Sequence, residues 1–195
     1  MKARALTLAL VLASALAPRA ARADGSADVA AARELFNEAS RHAAAGDWER
    51  ARADYARSYA LKHEPVTRYS LGVAQMKTGH LVDALESFRA FLAEADEAPH
   101  AAGYVAPAQK AIAELTPRVS RVRIAVTPPA PGLVVTLDAE RVPDLVLDRP
   151  RLVDPGAHEI VARADGFAEA RQRFTVKEGG QAEVRLTLTP STVTI

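Results

Sequence analysis

A chain of 195 residues with 25 basic and 24 acidic side chains and no cysteine has room for one domain or two small ones. Without cysteine it has no disulfide, no thiolate metal centre and no lipid-modified cysteine near its start. Its arginines are interleaved with acids instead of clustered, so the counterion release that drives nucleic-acid binding has no basic patch to act on.

The first element is residues 1–23, which read as a secretory signal peptide. Lys2 and Arg4 form a positive start, Ala5 to Ala17 is a run dominated by Ala, Leu and Val, and Ala21-Arg22-Ala23 fits a small-x-small cleavage site. An uncleaved anchor is the alternative, but a spanning helix wants about 20 apolar residues. Setting aside Lys2, Arg4, Arg19 and Arg22 leaves 21 basic against 24 acidic residues, a formal charge of −3 with histidine neutral. No later run is long and apolar enough to span a bilayer.

Residues 24–117 are rich in Ala, Glu, Arg and Leu at helical spacing. The stretch KTGHLVDALESFRAFLAEA puts Leu81, Ala84, Leu85, Phe88, Phe91, Leu92 and Ala95 on one helical stripe. A counterpart lies 33 residues upstream, where Gly46, Trp48, Ala51, Tyr55, Ser58 and Tyr59 align with Gly79, Leu81, Ala84, Phe88, Phe91 and Leu92. Ahead of each copy a further helix is expected, Arg33 to Ala44 and Val66 to Lys77. Two helices per unit at such a period are a repeat architecture.

These residues resemble the tetratricopeptide repeat, whose usual period of about 34 residues is one longer. Leu71-Gly72, Gly79, Ala84, Phe88 and Leu92 carry the resemblance in the second copy, and Gly46, Ala51, Tyr55 and Tyr59 in the first. The first copy departs from it with Glu38-Ala39 where the family prefers Leu-Gly, and Pro65 lies two positions beyond its usual place. Small residues at 39, 51, 72 and 84 let paired helices approach, while Gly46 and Gly79 suit left-handed turns. A half unit follows: Pro107 can open a helix with Ala108, Ala111, Ile112 and Leu115 on its apolar side, Val105 as a staple and Pro117 as its stop, capping the second repeat.

Residues 118–190 change to Val, Thr, Pro and Gly with two-residue alternation, and 191–195 form a short tail. Val122, Ile124 and Val126 open the series. Val135 and Leu137, Leu145 and Leu147, His158 to Ala164, Arg171 to Val176 and Ala182 to Leu188 follow. Six or seven short strands predict a small antiparallel β-sandwich, so the expected class is α plus β in two domains. This part is similar to the PEGA domain through IAVTPPAPGLVVTLD, DPGAHEIVARADGF and EGGQAEVRLTL. Asp154-Pro155-Gly156-Ala157 stands near the place of the absent Pro-Glu-Gly-Ala signature. That resemblance implies an extracytoplasmic module, of a kind often found beside helical repeats.

No catalytic constellation is visible. Histidines 42, 63, 80, 100 and 158 lack metal spacing, and His158-Glu159 lies on a strand whose alternate residues face opposite sides, so a structural role is expected. Glu94, Asp96 and Glu97 lack the glycine-centred loop of calcium sites. The serines have no nucleophile elbow and the glycine pairs no following Lys-Ser/Thr. The expectation is a protein without enzymatic activity, cofactor or metal.

What remains is binding. In tetratricopeptide proteins the first helix of each repeat lines a concave groove. That resemblance puts Tyr69, Val73, Met76 and Lys77 on it in the second copy, and Arg33, Phe36, Ser40 and Ala43 in the first. Tyr69 and Val73 stand where a peptide-carboxylate clamp would need charged or amide groups, so an apolar or amphipathic protein segment is the expected partner. The competing expectation is that Tyr69 and Met76 pack on the β domain or the terminal helix. The sequence thus predicts an exported adaptor that holds a protein or peptide partner in the cell envelope, periplasmic or at the outer membrane. The alternative is an envelope-polymer or carbohydrate-binding module carried by the β domain with the repeats as spacer.

Overall fold

A computed structural model describes residues 20–144 and 147–191. Most of the expected signal peptide, Leu145 and nearly all of the C-terminal tail lie outside them. Five helices come first and two small, mostly antiparallel sheets follow, an α plus β chain. The helices are α1 (Ala20–Ala44), α2 (Trp48–Leu61), α3 (Pro65–Lys77), α4 (Leu81–Ala95) and α5 (Val105–Leu115), with a 3-10 turn over Pro99–Tyr104 before α5. None of the described helices is long and apolar enough to cross a membrane. Helix α1 begins before Arg33, because Ala-rich sequence without proline continues upstream and nothing there stops a helix.

The internal period reappears in the helix ends. α1 stops at Ala44 and α3 at Lys77, and α2 opens at Trp48 and α4 at Leu81. Gly46 and Gly79 both have positive φ, 79° and 83°, the left-handed conformation that lets one helix end and the next start within a few residues. Ala51, Ala84, Tyr55 and Phe88 are all buried. A Cβ on Gly72 would stand 3.1–3.2 Å from carbons of the Phe88 ring, so α3 and α4 meet closely at that point.

The strands are β1 (Ser120–Thr127), β2 (Val134–Leu137), β3 (Glu140–Val142), β4 (Arg151–Val153), β5 (Gly156–Arg163), β6 (Ala170–Val176) and β7 (Gln181–Thr187). They form a sheet in the order β4-β1-β7 and another in the order β3-β2-β5-β6. Side chains of both share one core, in which Val122, Ile124 and Val184 meet Val135, Val142 and Ile160. Two features depart from the expected strand list. The turn after β2 needs only Asp138 and Ala139, both at positive φ, so the next strand is Glu140–Val142, and Leu147 lies in a turn. The first and last strands run parallel, from Arg121 opposite Gln181 to Thr127 opposite Thr187. Parallel neighbours need a long connection, and the whole second sheet supplies it.

The helical and β parts are joined by contact as well as by chain. Val119 is buried in the core of the second helix pair, and Leu152 of β4 packs against the same cluster. The Asp154 carboxylate accepts a hydrogen bond from Val82 N at 2.8 Å, at a helix start where His80 provides no side-chain cap.

Candidate functional site

An apolar concavity lies between α1, the end of α2, the start of α3 and the 3-10 turn, with a volume of about 420 Å³. Val29, Ala32 and Phe36 recur along one face of α1 and meet Val66 and Tyr104 across the gap. Tyr104 is 37% exposed, an unusual position for an aromatic ring in the described chain. Ser58 fixes the floor by donating to the Ala32 carbonyl at 2.8 Å.

Charge is confined to the rim. Lys62 Nζ and Glu64 Oε1 stand 2.6 Å apart, and His100 Nε2 is 3.7 Å from the other Glu64 oxygen. Arg33 is exposed at the opposite lip and has no ion pair among the described residues. An apolar trough with one unpaired cation on its edge can take an amphipathic segment carrying a carboxylate.

Of the six residues singled out for a groove, one is among those that line this concavity. Phe36 lines the concavity and meets Tyr55 edge-on at 5.4 Å. Ser40 is used internally, donating to the Phe36 carbonyl at 2.8 Å and lying 3.1 Å from the Tyr55 hydroxyl. Lys77 is exposed with its ammonium 5.8 Å from the Trp48 ring centre. Tyr69, Val73 and Met76 are partly buried against the core of α4 and α5.

Tyr69 sits among Phe88, Phe91 and Tyr104 at ring distances of 5.6, 5.5 and 4.8 Å. Burial raises its pKa above the usual tyrosine value, and the nearby Tyr104 adds to the effect. Tyr69 therefore backs the groove through Tyr104 without lining it. Val29, Val66 and Tyr104 escaped the sequence reading. For Val29 the signal existed, since Val29, Ala32, Arg33 and Phe36 keep the spacing of one helical face.

No family model matches the chain, and no curated protein matches it.

On the β part, His158 and Phe174 stack at 5.3 Å beside a broad depression of about 670 Å³, also bordered by Asp138, Glu159 and Arg173. His158 Nδ1 lies 2.6 Å from Asp138 Oδ2, and Nε2 lies 2.7 Å from the Asp154 carbonyl oxygen. Glu159 is held by Arg171 and Arg173 at 2.6 and 2.9 Å. His158 and Glu159 thus serve different partners. Phe174 is only partly buried against the sheet core.

The fold also collects a group that the spacing of the histidines did not suggest. Glu38 and His42 of α1 converge with Asp54 of α2, their ligand atoms all within 4.8 Å of one another.

Proposed function

We propose that this chain is an exported, non-catalytic adaptor of the cell envelope that holds an amphipathic segment of a protein partner in the groove between α1 and α3. On this reading the helical part is a short tetratricopeptide-like array of two hairpins closed by α5, and the β part is a PEGA-like sandwich. One observation carries the reading: Val29, Phe36, Val66 and the exposed Tyr104 form an apolar trough, with Arg33 unpaired at its lip among the described residues. Helix-in-groove recognition needs such a trough for the apolar face and a rim charge for orientation.

Capture of partners from a periplasmic extract by wild type, Val29→Glu, Tyr104→Glu and a control, Lys110→Glu on the exposed side of α5, tests it. A partner retained by wild type and control but lost by both groove variants, with unchanged circular dichroism, supports the reading; equal capture by all four refutes it. The second reading, a polymer-binding β part, draws on the Phe174 ring beside Asp138, Glu159 and Arg173. It would show as polymer binding that survives both groove substitutions.

A further inference from the structure

Glu38 and His42 are four residues apart on α1, so both side chains leave the same helical face one turn apart. The hairpin brings Asp54 of α2 against that face. Asp54 is only 5% exposed, and a buried carboxylate is costly unless its charge is matched. Arg57 matches one of its oxygens by donating to Oδ1. The other oxygen, Oδ2, faces His42 Nε2 at 3.6 Å.

That separation is informative. An N–H···O hydrogen bond closes at about 2.7–3.2 Å, so Asp54 Oδ2 and His42 Nε2 are too far apart for one. Two ligand atoms each about 2.1 Å from a tetrahedral ion lie about 3.4 Å apart, close to the spacing seen. Asp54 Oδ2 thus belongs to a buried side chain and faces His42 Nε2 at the spacing of two ligands, wider than that of a hydrogen bond. Glu38 stands on the open side, and its exposed side chain can swing in without disturbing the core. Arg57 on Oδ1 has the place of an outer partner that fixes a ligating carboxylate. The site also lies in the last turns of α1, where unpaired carbonyls favour a cation.

We propose that Glu38, His42 and Asp54 bind one divalent transition-metal ion of the zinc class, with solvent completing the shell, and that the ion clamps α1 to α2. One imidazole and two carboxylates suit zinc and its neighbours better than calcium, which prefers an all-oxygen shell. None of the three residues lines the groove, so the site is independent of the partner-binding reading.

The test is calorimetric titration of zinc into the full chain, purified without a histidine tag, with cobalt(II) absorption in the visible as a second probe. Wild type should bind one zinc ion per chain and show a melting temperature that rises with zinc concentration. His42→Ala and Glu38→Gln, both at positions that leave the core intact, should weaken binding about tenfold or more. His42→Ala should also abolish the zinc-dependent rise in melting temperature. Binding at wild-type affinity in both variants would place the metal at another histidine and overturn the proposal, as would the absence of saturable binding in wild type. Matched circular dichroism of the metal-free variants excludes misfolding as the cause of a loss.

Discussion

Tyr69 packs its ring among Phe88, Phe91 and Tyr104. It shares a helical stripe with Val73 and Met76, which the spacing alone reveals. What covers that stripe is α4 and the 3-10 turn, and periodicity within α3 carries no information about elements that follow it in the chain. The consequence is measurable. Because burial and Tyr104 raise the folded pKa of Tyr69 above 10.0, the folded state keeps a proton that the unfolded chain releases. Its contribution is fully present below the unfolded value and is lost as pH rises through the folded one. Urea unfolding from about pH 9 to about pH 11 should therefore show a steeper loss of stability for wild type than for Tyr69→Phe. Parallel curves would mean that the hydroxyl is solvated. Glu38, His42 and Asp54 make the same point: the four-residue step between the first two was readable, but the third needs the register of the hairpin.

Helices α2 and α4 were the most legible elements, because two independent signals agreed on each. An apolar stripe marked the body, and a glycine thirty-three residues from its twin marked the start. The close approach of Gly72 to the Phe88 ring explains why a small residue and a large one occupy those positions. Phe88 is fully buried, so Phe88→Ala leaves a cavity between α3 and α4 and should cost about 3–5 kcal/mol in urea unfolding. A loss below about 1 kcal/mol would show that the hairpin relaxes around the gap. Strands were legible as alternation, as in Val122 and Ile124 or Val184 and Leu186, but their pairing was not. Nothing local distinguishes a β7 that pairs parallel with β1 from one that pairs antiparallel. The choice depends on how the intervening strands build the second sheet.

At the scale of the molecule, the junction of helices and sheets depends on contacts between residues far apart in sequence. Leu152 packs on the helical core, Arg118 pairs with Glu178 at 2.8 Å, and Asp154 caps α4 through Val82 N. A cap contributed by another part of the chain looks like a turn residue in sequence, as Asp154 does ahead of Pro155-Gly156. Asp154→Ala should lower stability by about 1 kcal/mol, whereas Asp154→Asn, which caps comparably, should cost much less. Equal effects of the two would remove the cap from the account. The groove likewise exists only because the 3-10 turn brings Tyr104 opposite Phe36, a juxtaposition between distant segments. Partner binding there is the central claim, and site-specific photo-crosslinking in living cells tests it most directly. A photoreactive phenylalanine analogue at position 104 should form a discrete adduct with one envelope protein, and the same analogue at position 110 should not. Adducts of equal yield at both positions, or none at 104, would contradict the claim.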